Sequence, residues 1–436
     1  MKVSARFLIP LLAAVLLTGG LLGYAWWQLS VTQGQLQQRV RTIADQEQQT
    51  TQSAQNTLEP ADTGDVVLIH LRQGDLLVLQ GDWSAAEKEY QTSVDAGGGI
   101  PALRKLAQAQ MQRREIAKVK QTIQALERLG ARSEDLLLLR VIVALRTGEI
   151  AQAEKIIAQA QDSPQKHYGS SLLLIIQGKH DDAKKELQAV LNGWDPTLRA
   201  YGRTLQAAYD EFALFPESRP IHLTTLLARA LAQVQECELA LQLVAQVVQE
   251  QDDYRDAWTV QGYCELVTER TPEALNSFEK AYAIDPEKPE IQYFLGRTYM
   301  VLQQWKNAET FLQYALVNGF EPKKEVRRRL ADAAEKVPDL PLALEQLNAL
   351  LTEPDADLAL FEKTITLSIQ TDKKEDAYQI AQSAVKKWPT SGKAYELLGW
   401  SAAETNRKDE AKTDLEKALQ LDPSVKSARE RLNGLK

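Results

Sequence analysis

Six alanines, Ala240, Ala274, Ala308, Ala343, Ala377 and Ala411, follow one another at steps of 34, 34, 35, 34 and 34 residues. A fixed period of this size marks a chain built from stacked copies of one supersecondary unit, each too small to bury its own apolar face. The unit itself reads as two helices. In the last copy Tyr395, Leu398, Gly399 and Ala402 share one helix face, and Ala411, Leu415 and Ala418 share a second. Asn406-Arg407-Lys408-Asp409 supplies a polar turn between them, and Asp422-Pro423 ends the second helix. Small residues at Gly399 and Ala411 let two antiparallel helices approach closely.

With those residues in place the chain resembles the tetratricopeptide repeat (TPR) family. Its unit is a 34-residue helical hairpin with a W-x-x-L-G-x-x-Y…A…F…A…P pattern. Residues 255–288 carry Trp258, Gly262, Ala274, Phe278, Ala281 and Pro286 in the pattern's places. The next unit carries Leu295, Gly296, Tyr299, Ala308, Leu312 and Ala315, with Pro322 displaced by two. Phe361, Ala377, Ala384 and Pro389 continue it, and 392–425 is the most complete copy. Toward the N-terminus the pattern loosens. Gly74, Ala86 and Tyr90 mark one unit, Leu106, Val119 and Ile123 the next, then Ala153 and Ile157, then Gly178, Ala183 and Leu187.

The resemblance implies an all-α fold: an α-α superhelix, a TPR solenoid of about nine to ten hairpins, and the apolar run near the N-terminus adds a transmembrane helix before it. A degenerate sub-array is expected at 67–196 and a regular one at 221–425. The 57 residues from Ala183 to Ala240 exceed one repeat by about a helix, so 197–220 is assigned an extra helix and a hinge. Arg429, Leu432 and Leu435 place a capping helix at 426–436.

Phe7 to Trp27 is a run of 21 residues without a charge. At about 1.5 Å per residue it spans about 31 Å, enough for a hydrocarbon core of roughly 30 Å. Tyr24, Trp26 and Trp27 close it as interfacial aromatics do. Lys2 and Arg6 precede it, whereas Arg39 and Arg41 are offset by Asp45 and Glu47. Residues 1–6 are therefore expected in the cytoplasm and the rest outside. No A-x-A-like site follows Trp27, which favours a retained signal-anchor in a bacterial cytoplasmic membrane. Gly19 and Gly23 form a G-x-x-x-G pair suited to a homodimer, although glycine is common in membrane helices generally. The Gln-, Thr- and Ser-rich stretch 28–65 reads as a flexible or partly helical tether, with Leu29, Leu36 and Ile43 at heptad spacing.

The net charge of −8 is spread along the chain, so no basic face for nucleic acid stands out. Two cysteines, Cys237 and Cys264, exclude a disulfide framework or a multi-cysteine metal centre. The four histidines are scattered, and no Walker, G-x-S-x-G, G-x-G-x-x-G or H-E-x-x-H motif occurs. Neither a catalytic site nor a cofactor is expected.

What remains is binding. In the family that this chain resembles, first helices of successive units line a concave groove that holds a peptide or helix of a partner protein. The corresponding positions here are Arg229, Thr259, Tyr263, Tyr293, Arg297, Met300, Arg328 and Trp400. Tyr, Trp and Arg are residue types that dominate interface energetics. Tyr263, Tyr293 and Arg297 are expected to form a contact cluster, with inter-repeat packing the competing role for both tyrosines. The run Lys323-Lys324-Glu325-Val326-Arg327-Arg328-Arg329 reads as an anion site or as a solvated helix face. Three functions stay open: an envelope scaffold or assembly factor, a cytoplasm-facing adaptor of membrane enzymes, and a polysaccharide-binding export component.

Overall fold

The computed structural model describes residues 63–215 and 217–435. The expected span Phe7–Trp27, the segment before it and nearly all of the tether lie outside the described residues. Among the described residues no helix is long and apolar enough to cross a membrane.

Twenty-two helices and no strand make up the described residues. The division between two compact units falls between Arg199 and Ala200. The first unit holds four hairpins: α1 (Thr63–Gln80) with α2 (Trp83–Asp95), α3 (Gly99–Gln112) with α4 (Ile116–Arg128), α5 (Ser133–Arg146) with α6 (Ile150–Gln159), and α7 (Pro164–Ile176) with α8 (His180–Asn192). Helix α9 (Pro196–Ala213) follows, and the division lies in its first turn. The second unit continues with α10 (Pro220–Gln233) and α11 (Cys237–Glu250), α12 (Arg255–Val267) and α13 (Thr271–Ile284), and α14 (Pro289–Val301) and α15 (Trp305–Val317). It ends with α16 (Lys323–Lys336) and α17 (Leu340–Leu351), α18 (Leu358–Gln370) and α19 (Lys374–Lys387), α20 (Gly392–Glu404) and α21 (Lys408–Leu421), and the single helix α22 (Lys426–Gly434). Helix α1 begins inside the stretch assigned to the tether, because Thr63 to Asp65 already belong to its first turn.

All six alanines of the repeat ladder are fully buried, and so are Ala86, Val119, Ala153 and Ala183 at the same place in the first unit. Where a first helix carries a glycine, its surroundings show how closely the two helices of the hairpin approach. A Cβ on Gly262 would stand 2.9 Å from the Phe278 ring, one on Gly296 2.7 Å from Leu312 Cγ, and one on Gly399 2.7 Å from Leu415 Cγ. In each pair the partner comes 16 residues later, on the opposing helix of the hairpin, so the glycine acts as the socket for a large side chain. Around Phe278 the core gathers Trp258, Ile291, Leu295, Tyr299 and Leu312.

Among the described residues, nine of the ten hairpin turns place a residue at a φ of 58–81°; the α16–α17 turn instead holds Pro338, which has no N–H to donate. At the α14–α15 turn Gln303 has φ 58°. The Gln303 N–H donates to Met300 O at 3.0 Å and the Gln304 N–H to Tyr299 O at 2.9 Å. This Schellman geometry satisfies the last carbonyls of one helix while opening the next. Side-chain caps from Asp339 on Leu342 N (3.2 Å) and Asp357 on Leu360 N (2.9 Å) start α17 and α18.

Cys237 and Cys264 are both buried, in α11 and α12, as separate thiols. At the end of the array Leu432 and Leu435 pack with Ala428 against Leu415 and Ala418 of α21.

Candidate functional site: a cleft between first helices

Within the second unit, the first helices α10, α12 and α14 enclose a cleft of about 280 Å³. Its floor is apolar, from Leu226, Val260 and Ile291, and its walls are polar. Position in the repeat decides which side chains arrive there. Thr225 and Thr259 occupy the same place in consecutive units, 34 residues apart, and both line the cleft. One turn earlier, His222, Asp256 and Glu290 occupy another such place and form the rim. Each threonine turns its hydroxyl back onto its own helix: Thr225 Oγ1 donates to Ile221 O at 2.8 Å and Thr259 Oγ1 to Arg255 O at 3.0 Å. The methyl groups and the short side chains leave the space open.

The charged walls are internally compensated. Arg255 lies between Asp256 (2.7 Å) and Asp285 (2.6 Å). Burial works against its charge, but these two carboxylates raise its pKa above the ordinary arginine value. Arg229 pairs with Glu211, and Lys288 lies 3.5 Å from Glu290. His222 Nδ1 is 2.9 Å from the Tyr254 hydroxyl, and the Phe212 and Phe215 rings stand 6.1 and 6.2 Å from the imidazole. Burial, helped by Asp256, pushes the Tyr254 phenol up, so it stays neutral and able to donate. Among the described residues no three His, Cys, Asp or Glu side chains converge where a metal ion could sit. The arrangement is a small amphipathic slot with donors and acceptors at its edge, suited to gripping a side chain and the backbone around it.

Of the residues singled out from sequence, Arg229 and Thr259 line the cleft. Tyr263 is half-buried, its ring edge-on to Phe294 at 5.5 Å. Tyr293 departs from the expected open cluster, being only 5% exposed and stacked on Phe320 with centroids 4.1 Å apart. Its hydroxyl accepts from Arg329 Nε at 3.0 Å and donates to Glu325 at 3.1 Å. Tyr293 is therefore a joint between α14 and α16, and the tyrosine pair does not form an open contact surface. Arg297 lies 5.7 and 5.8 Å from the Tyr293 and Phe294 centroids, and Met300 packs partly against the same core. Arg328 is exposed on α16. Trp400 is half-covered by the Arg431 guanidinium, 3.9 Å above its ring.

Sequence reading missed His222, Tyr254, Asp256 and Lys288. The 34-residue spacing of 222, 256 and 290 carried the signal, one turn ahead of the positions that were chosen.

Comparison with known proteins follows the same register. Family models described as tetratricopeptide repeat match residues 225–289, 268–317 and 392–425. No curated protein matches the chain. Among solved structures the chain is similar to YrrB, described as a TPR protein with an unusual peptide-binding site. The identity is 18%, covering 43% of this chain and 96% of that one, with a TM-score of 0.37. It is also similar to a tetratricopeptide repeat protein from Parabacteroides merdae, at 18% identity over 62% of this chain and 98% of that one, with a TM-score of 0.31. Yeast Tom70 aligns at 14% identity over 86% of this chain and 96% of its own, with a TM-score of 0.27. The buried alanine ladder, the glycine sockets and the family matches coincide, and the segments 225–317 and 392–425 are tetratricopeptide repeats within an all-α helical array.

Proposed function

We propose that this protein is a membrane-anchored interaction scaffold that binds a segment of a partner protein along the first helices of its regular array. The observation that carries the reading is the cleft shared by α10, α12 and α14, with an apolar floor and a polar rim. Such a slot presents donors and acceptors for backbone and a pocket for a side chain, and among the described residues no metal-ligand cluster forms there.

The anchor is Phe7–Trp27, supported by its length, its lack of charge and its closing aromatics. Lys2 and Arg6 favour a cytoplasmic N-terminus, which puts the array on the far side of a bacterial cytoplasmic membrane, as in an envelope scaffold or assembly factor. A reporter fused at the C-terminus tests this orientation, and activity on the cytoplasmic side would reverse it. Binding is tested by a photoreactive residue in place of Thr259. The reading expects it to capture a discrete protein that the same probe at Lys412, exposed on α21, does not capture.

A further inference from the structure

Helix α1 opens the array, and no hairpin precedes it among the described residues. It carries large apolar side chains on two opposite faces. One face presents Gly74, the socket for the Tyr90 ring, with Leu71, Leu77 and Val78 packed against the core of the first hairpins. At about 100° per residue the opposite face collects Asp65, Leu68, Ile69, Arg72, Leu76 and Leu79. Leu68 is 46% exposed and Leu79 51%, while Ile69 and Leu76 are half-buried. A helix that is apolar all round is ordinarily covered on all sides.

The repeat assigns this face a purpose. Ile69 and Leu76 stand five residues before and two residues after Gly74. The same places around Gly262, Gly296 and Gly399 hold Ala257 and Cys264, Ile291 and Thr298, and Ala394 and Ser401, all fully buried. Ala257 packs there with Ile221 and Val247 of the preceding hairpin. These are stacking positions, through which a first helix receives the repeat before it. On α1 they carry large aliphatic side chains and remain partly open. The other end of the array differs. The exposed side chains of α22 include Lys426, Arg429, Glu430 and Asn433, a surface that water covers without a partner.

Charge narrows the choice of partner for α1. Asp65 and Arg72 lie seven residues apart on its open face, both exposed and, among the described residues, without an ion-pair partner. Two such helices laid antiparallel, with Leu68 of each against Ile69 of the other, set each Asp65 opposite the Arg72 of its neighbour. Both pairings share the midpoint between 68 and 69. The face is therefore its own complement, apolar at the centre and oppositely charged on either side, as a two-fold interface requires. We propose that two copies of this chain associate through α1, packed antiparallel about a two-fold axis between Leu68 and Ile69.

The test uses the full chain, expressed in cells with a photoreactive residue in place of Leu68. Illumination is expected to give an adduct of two copies, with the crosslink on residues 65–72 of the second. Asp65→Arg alone, or Arg72→Asp alone, sets like charges opposite one another on both sides of the contact. Each should lower the yield by about fivefold. Co-expression of the two variants restores opposite charges across the contact, so the mixed adduct should return to within about twofold of the parent yield. Circular dichroism of each variant should match that of the parent, because both substituted side chains are exposed. An adduct within one chain, an adduct with a different protein, or no adduct overturns the proposal. So does a yield that the single reversals leave unchanged, or one that co-expression does not restore.

Discussion

At the scale of single residues, the fold depends on side chains that are small on one helix and large on the next. Ala274 is fully buried, one helical turn from Phe278, which fills the socket left by Gly262. Ala274→Leu adds three carbons where there is no room, and it should cost about 1–3 kcal/mol, read as a lower denaturant midpoint. This much was legible in the sequence, because a position that tolerates only small residues repeats with the unit and needs no knowledge of its neighbours. Tyr293 was not legible. Its stacking partner Phe320 sits in the 318–322 loop, next to the one step of 35 residues, outside the regular pattern. An irregular residue buried a position that the regular pattern leaves open. A different residue gives a pH handle. Burial, reinforced by Glu410 one turn away, pushes the Asp414 carboxyl up to about 6 from an ordinary 3.8. The folded state thus favours the neutral acid. Its contribution to stability is complete below pH about 4 and is lost as pH rises through about 6. Asp414→Asn should leave stability at pH 4 nearly unchanged and raise it at pH 7.5 by about 1 kcal/mol, after allowance for partial exposure. Thermal unfolding across that range checks it, and a parallel pH profile in the variant would refute it.

At the scale of elements, the hairpin turns show how one geometry is met by different residues. The left-handed position is glycine at Gly81, Gly148 and Gly178, Arg114 in the other hairpin of the first unit, and Gln235, Glu269, Gln303, Asp372 and Asn406 in the second unit. A side chain there costs roughly 1–2 kcal/mol of local strain, while glycine costs roughly 0.5–1 kcal/mol through the freedom of the unfolded chain. Gln303→Gly should therefore stabilise the protein by about 0.5 kcal/mol, a small rise in unfolding midpoint that Gln303→Ala should not reproduce. Helix existence was readable because apolar spacing and proline stops mark each hairpin. The beginning of α1 was not, since Thr63 to Asp65 are as polar as the tether before them. Between units, successive first helices are also joined by ion pairs one repeat apart. Lys363 meets Asp332 at 2.7 Å, Lys393 meets Glu362 at 2.7 Å, and Arg431 meets Glu396 at 2.9 Å. The first two pairs are partly exposed and worth little individually, whereas Arg431 answers a buried carboxylate. Their consequence is register, because each links a first helix to the next one in the array.

At the scale of the whole molecule, fold and function were unequally legible. Repetition announces a stacked helical array from sequence alone, since every unit must present the same packing faces to its neighbours. The proposed binding face is made of residues that packing does not fix, so the repeat pattern says little about its chemistry. Thus Arg229 and Thr259 were placed on the cleft, while His222, Tyr254 and Asp256 emerged only when the three helices were seen together. Whether this protein holds its partner on the first-helix face of the regular array is decided by a photo-crosslinking walk in intact cells. Probes at Arg229, Thr259 and Arg328, on first helices, are compared with probes at Lys280, Asn307 and Lys412, exposed on second helices. One adduct of constant partner identity is expected from the first set and none of that identity from the second. Equal capture from both sets, or capture confined to the second, would contradict it.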